Sequence, residues 1–369
     1  MEQLATLASK YGDFYAPSYA VRLGGADVMR ELLIPVSQVE VDLTLGTASR
    51  FSFTVTNCYD QELQRFRTGG GANVLTFLTF GAEIEIGMGY GNANLPIIAS
   101  GVISEISTSF PEGGSPQLTV AGFDHGFMLT LGKSSRTWKD ALDSDAVHEI
   151  AGFNSLGDAI ETTNVRHAQI EQNNLSDWEF LKKLAGRNND FEVYVDEQRK
   201  LHFAKKKDKS TAVLELIYGQ GLLSFNPEAN LAGQVSEVVL FGWHPGTKKQ
   251  IIGRASAGQE IALNGRSGGQ FLNTFVRDAE KRPTLRIRQP VFTQAEADQR
   301  ARAVLNQNAK KFLTGNGEAI GLPELRPDLT VQLSNLGDFF SKTYYVTKTT
   351  HKLDTNGYRT TFTVEVPSL

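Results

Sequence analysis

Cysteine is almost missing from this chain of 369 residues: Cys58 stands alone. That excludes an internal disulfide and any cysteine-rich metal site, and it fits a reducing compartment. Long apolar runs are missing as well, since none approaches the roughly 20 residues that a membrane-spanning helix needs. The N-terminus, MEQLATLASKYGDF, has no basic start followed by an apolar stretch, so no signal peptide is expected and the protein reads as soluble, folding in the cytoplasm. A strong charge of one sign is lacking too. The formal net charge is −4, which argues against a nucleic-acid backbone as the main partner.

Catalytic patterns are also missing. HEIAG at 148–152 begins like a zinc-protease helix, but Gly152 occupies the place of the second histidine. The histidines at 125, 148, 167, 202, 244 and 351 include no two at metal-motif spacing. No G-x-S-x-G elbow occurs, and GGGAN at 69–73 lacks the Lys-Ser/Thr of a P-loop. Asp124 and His125 are neighbours on a strand and point to opposite faces, which suits turn chemistry rather than an acid/base pair. Residues 83–92, EIEIGMGYGN, are not followed by the helix that a dinucleotide turn requires; Ile84, Ile86, Met88 and Tyr90 alternate as one face of a curved strand. No catalytic, cofactor-binding or metal-ligating residue is expected, and no cofactor. This absence favours a structural or assembly protein.

What is present is an ordinary globular composition, 40% hydrophobic and 21% charged, with room for two or three domains. A short helix is expected over Glu2–Tyr11. From Ala16 to about Leu131, short alternating runs such as SQVEVDLTLG, RFSFTVTN and PQLTVAGFD are separated by turn residues, as in a barrel or sandwich. Residues 1–131 are therefore read as an N-terminal segment and a first β-barrel. Residues 132–211 change period and read as an inserted α/β module. Its strongest helix is NLSDWEFLKKLAG, where Ser176 and Glu179 make a capping box. The basic run KKKDK at 205–209 reads as a solvated loop, and Trp138, Trp178 and Trp243 as core or subunit-contact residues. Residues 212–369 read as a second barrel interrupted by an exposed arm at 246–283. A helix opened by Thr293 and Glu296 follows, with Ala301, Val304, Leu305, Asn308 and Phe312 along one stripe.

The two β regions resemble each other. Residues 101–123 align without a gap on 345–366, with Val102 on Val346, Gly113 on Gly357 and Val120 on Val364. Two similar hairpins imply two similarly built barrels. Three copies of such a chain can form a ring with six nearly equivalent positions. The fold class expected is mainly β (α+β): two similar antiparallel β-barrel domains with an inserted α/β module, the barrels forming a pseudo-six-fold ring in a trimer.

The order of YAPSYAVRLGG, the block EIEIGMGYG…GVISEISTSFPEGGSPQLTVAGFDHGFML, SDAVHEIAG, NNLSDWEFLKKLAGRNNDFEVYVDEQRKLHF and AEADQRARAVLNQ resembles the phage late control D family. These are baseplate hubs of contractile tails, similar to the N-terminal hub part of type VI secretion spike (VgrG-like) proteins. The resemblance covers about residues 14–366. It implies a structural, non-enzymatic homotrimer that adapts a six-fold inner tube to a three-fold spike. The implied partners are the inner tube ring, other baseplate components and a separate spike protein, because the chain stops at Leu369 where the type VI proteins continue. Nucleic acid and direct membrane insertion are not implied. The implied location is assembly in the cytoplasm and then a virion or injection-system particle. The alternative is a tail-associated cell-wall hydrolase, for which Glu171, Asp177, Glu179 and Asp190 form the only dense acidic group in the middle module.

Overall fold

The computed structural model describes residues 1–91, 95–208, 210–244, 247–261 and 264–369. Alternation of apolar and polar residues builds most of it into a sheet of 13 strands. The C-terminal part of that sheet closes on itself. Around the barrel the neighbours are Leu214–Tyr218, Gly221–Ala229, Leu313–Ile320, Gly357–Val366, Lys342–Asp354 and Leu329–Ser334, which pairs back to the first. Its interior holds Leu216, Leu222, Leu313, Val331, Tyr344 and Val364. Helix Leu4–Lys10 adds Leu7 to the same core.

The N-terminal strands are ordered Pro17–Leu23, Glu83–Tyr90, Ile97–Ser109, Gln117–Asp124, Arg50–Val55 and Val36–Thr44. They curl round their own core of Val39, Phe51, Phe53, Ile86, Met88 and Val120. Where a second closed barrel was expected, no backbone pairing among the described residues joins Pro17–Leu23 to Val36–Thr44. Val36–Thr44 is instead shared between the two sets of strands. One edge of Val36–Thr44 is taken by Arg50–Val55 and the other by Lys342–Asp354, from Val39 opposite Leu353 to Thr44 opposite Lys348. The Tyr19 hydroxyl, donating to the Val36 carbonyl at 2.6 Å, spans the gap.

Listed by position in the sheet, the N-terminal strands and the barrel strands nevertheless repeat one another. The strands 17–23, 36–44, 50–55, 83–90, 97–109 and 117–124 correspond in chain order to 214–218, 221–229, 313–320, 329–334, 342–354 and 357–366, with the same neighbours within each set except at the pairing that closes the barrel. The first strand alone differs in direction: it is antiparallel to its neighbour in one set and parallel in the other. Two β-bulges also recur, at Ser37 and Leu223 and at Ser104 and Thr347. Bulges of this kind are specific features rather than accidents of pairing. They place Thr347 opposite Ser104, one residue away from the gapless alignment. The turns differ too, spanning 110–116 in one hairpin and 355–356 in the other, so Gly113 and Gly357 are not equivalent.

The inserted module packs helices Asp143–Phe153 and Asp177–Arg187 on two small sheets around Trp138, Ile150, Phe180, Leu184 and Phe203. The Ser176–Glu179 capping box forms as read. The second cap is only half formed: Thr293 accepts from the Glu296 N–H, but Glu296 reaches back to the N–H of Phe292. Opposite Gly87 the neighbouring strand Ile97–Ser109 is bulged at Ile98; a Cβ on Gly87 or Gly89 would press on Leu95 and Pro96, which accounts for the glycines.

The stretch read as an exposed arm is partly structural. Strand Lys249–Ser256 pairs with Glu237–His244 and buries Ile251, Gly253 and Ala255 against helix Gln294–Ala309. Arg254 lies on the outward alternation and Lys249 at the exposed start of the strand, and these charges disguise the inward alternation. Gly246, Ala262 and Leu263 of that stretch lie outside the described residues. No helix among the described residues is long and apolar enough to cross a membrane.

Candidate functional site: a charged joint and open strand edges

The inserted module meets the barrel at a joint built by the lysine run. Lys205 pairs with Glu161 at 2.5 Å, within the module. Lys206 Nζ lies 2.9 Å from Glu192 and 3.7 Å from Glu365 of the barrel, and Lys207 Nζ lies 3.2 Å from Asp328. Burial works against the Lys206 ammonium, but Glu192 and Glu365 outweigh it and hold its pKa above the usual lysine range. Burial pushes the Glu365 carboxyl up, so Glu192 is the main counter-ion. The run expected to be a solvated loop is therefore a clamp, with Lys209 outside the described residues. Asp328 gathers the joint: it accepts from Tyr345 Oη at 2.9 Å, Tyr194 Oη at 3.3 Å and the Lys207 N–H at 3.1 Å.

Beside Asp328 lies a cavity of about 240 Å³ between the N-terminal sheet, the module and the barrel. Its charges are already engaged with one another. Arg326 pairs with Glu197 at 2.8 Å, and His202 Nε2 lies 2.8 Å from Asp196. Asp124 accepts from the N–H groups of Ser49 at 2.7 Å and Gly126 at 2.8 Å. This is the turn chemistry read from the sequence; burial raises its pKa to about 7 against those two hydrogen bonds. His125 turns elsewhere, to Ser100 Oγ at 3.3 Å.

A second buried network ties the module to helix Gln294–Ala309. Asp143 accepts from Arg187 Nε at 2.7 Å, and His167 lies 3.7 Å from Asp143 and 3.6 Å from Glu296. Burial pushes the Asp143 carboxyl up, but His167 and Arg187 prevail and lower it to about 2.

The other sequence candidates separate. His148 is an exposed helix residue facing Asp158 at 2.8 Å. Asp177 accepts from Arg136 and Gln172, Glu179 caps its helix, Asp190 faces Lys310 at 3.4 Å, and Glu171 is exposed. Each is held by different partners rather than as a pair in one cleft. Trp138 stacks on Phe180 and Trp178 donates to the Gly46 carbonyl, whereas Trp243 is exposed. Among the described residues no three His, Cys, Asp or Glu side chains are grouped to hold a metal.

The remaining feature with unspent binding capacity is backbone. Strand Ile97–Ser109 pairs with Glu83–Tyr90 only as far as Val102, which leaves that edge open from Ser104 onward. Strand Gly221–Ala229 pairs with Leu214–Tyr218 only at Gly221 and Leu222, and its edge is open beyond. Open edges are natural templates for another chain. The sequence reading did not find them, because pairing beyond a bulge is not written in alternation.

A family model described as the Alg8 N-terminal domain matches residues 18–355. No curated protein matches. Among solved structures, the chain is similar to a prophage MuSo2 43 kDa tail protein from Shewanella oneidensis, with a TM-score of 0.72, 12% identity, and 95% of this chain and 99% of that one covered. A tail protein from Neisseria meningitidis MC58 gives 0.69, 13%, 95% and 97%. An E. coli component of the type VI secretion system, described as similar in structure to T4 bacteriophage tail proteins, gives 0.57, 12%, 93% and 76%. At these identities the likeness establishes a shared fold.

Proposed function

The chain belongs to the Alg8 N-terminal domain family, and from the fold it shares with tail proteins we propose that it is a structural component of a phage-tail-like particle. More narrowly, it is the baseplate hub of a contractile tail or related injection system, of the late control D type. The observation that carries this reading is the repeated strand order, with its repeated bulges, in one continuous sheet. Two such units per chain and three chains would offer six similar positions to a six-fold tube and three to a spike. Assembly would start in the cytoplasm and end in the particle.

A non-enzymatic role agrees with the engaged charges of the joint cavity. Of the four acidic residues considered for hydrolysis, Asp177 and Asp190 form ion pairs, Glu179 caps a helix and Glu171 is exposed, so no observation favours a hydrolase. Electron cryomicroscopy of particles from the native host tests the reading. Three copies at the base of the inner tube are expected, and a chain found outside any tail-like particle overturns it. A peptidoglycan zymogram is expected to stay blank.

A further inference from the structure

Within the chain, one joint between the two β units is already made, and it shows how another would form. Past the bulge at Thr347, strand Lys342–Asp354 leaves Leu329–Ser334 and takes Val36–Thr44 as its neighbour. The counterpart of the first strand is Ile97–Ser109, which beyond the bulge at Ser104 has no neighbour on that side among the described residues. The counterpart of Val36–Thr44 is Gly221–Ala229, bulged at Leu223 as the other is at Ser37, and its matching edge is open. The open stretches are largely exposed, at Glu105, Ser107, Thr108 and Ser109 on one strand and Ser224, Asn226, Glu228 and Ala229 on the other.

We propose that residues 105–110 of one copy pair antiparallel with residues 225–230 of a second copy, continuing the sheet from chain to chain. This rests on the hub reading for the number of copies, three, but not for the register. Transferring the internal pairing through the two bulges places Ser107 opposite Glu228, Thr108 opposite Pro227 and Ile106 opposite Ala229. Each copy carries one edge of each kind, so the contact is head-to-tail and closes as a ring. The occupant is a second copy because the edge geometry is a duplicate of an interface the chain already makes with itself.

The copy-to-copy joint is weaker than the internal one. Leu45 donates to the Thr347 carbonyl at 3.1 Å, so alternation directs the N–H groups of Leu43, Val41 and Val39 at the internal joint. Their counterparts are Ala229, Pro227 and Phe225. Pro227 has no N–H to give, which blunts the edge and removes one bond from the joint. The internal joint also carries Lys348 facing Asp42 at 3.6 Å and Thr350 donating to Asp42, whereas Glu105, Ser107 and Ser109 would face Asn230, Glu228 and Asn226 with no opposite charge. Isolated copies therefore associate reversibly and close firmly once a tube or spike aligns them.

Paired cysteines test the register. In a Cys58→Ser background, Ser107→Cys with Glu228→Cys occupies a position facing across without hydrogen bonds, where the Cα separation of about 4.5 Å suits a disulfide. Mild oxidation is expected to give covalent dimers and trimers of the double variant on a non-reducing gel, and only monomers of each single variant. Thr108→Pro should abolish association in light scattering with an unchanged circular dichroism spectrum. Pro227→Thr should strengthen it about fivefold per joint, the net worth of one hydrogen bond. No cross-link at any concentration, or trimers that persist in Thr108→Pro, overturns the proposal. Chains located in a tail particle yet not cross-linked there keep the hub reading and lose this joint.

Discussion

Lys205 and Lys206 are sequence neighbours with opposite situations: 53% of one side chain is exposed and 17% of the other. Substituting Lys205 by Ala removes an exposed pair and should cost less than about 1 kcal/mol. Lys206→Ala leaves Glu192 and Glu365 facing each other in a buried joint and should cost about 3–5 kcal/mol. Urea titration followed by tryptophan fluorescence, with Trp138 and Trp178 in the module, measures the difference. Two buried titratable groups give pH effects of opposite sign. His351 is fully buried between Tyr358 Oη and the Leu325 carbonyl; burial first, and the Arg326 charge second, lower its pKa to about 3. The unfolded chain therefore takes up a proton that the barrel refuses, and stability falls as pH drops from about 6.5 toward 3. Asp124 is raised to about 7 by burial, so what it contributes is complete below about pH 4 and lost as pH rises through 7. Melting curves from pH 4 to 8 should show His351→Gln with less acid sensitivity than the parent and Asp124→Asn with less loss on the alkaline side.

At the scale of elements, strand Lys249–Ser256 and helix Gln294–Ala309 touch backbone to backbone. A Cβ on Gly253 would come within 2.3 Å of the Ala297 carbonyl group, and neither partner is a flexible side-chain end. Gly253→Ala should therefore push the helix off the sheet at a cost of about 1–3 kcal/mol and make the 247–283 stretch a faster protease target. Unchanged cleavage would mean that the helix does not hold that stretch. Glycine-rich composition hides this contact, because a glycine chosen for close packing looks like one chosen for a loop.

For the whole molecule, the N-terminal core and the barrel core are separate clusters joined through one sheet. The pairing of residues 39–44 with 348–353 makes each unit supply an edge that the other needs. Scanning calorimetry should accordingly show the two β units melting in a single transition rather than in two. Val41→Pro removes an N–H directed at that joint and is expected to split the transition.

The sequence by itself determined the local grammar: alternation of Phe51, Phe53 and Val55, the Ser176–Glu179 cap and the glycines of a bent strand. These depend on residues within a few positions of one another, where backbone geometry alone decides. It also carried the repeat, although at an alignment displaced by one residue, because a bulge shifts pairing without changing the apolar pattern. Only the tertiary structure decided that one set of strands closes into a barrel and the other stays open, since both outcomes rest on pairings between strands far apart in sequence. It likewise decided that three consecutive lysines are a clamp. Their partners Glu161, Glu192, Asp328 and Glu365 are distant in sequence, and the charge of a side chain does not say whether its counter-ion is another carboxylate or water.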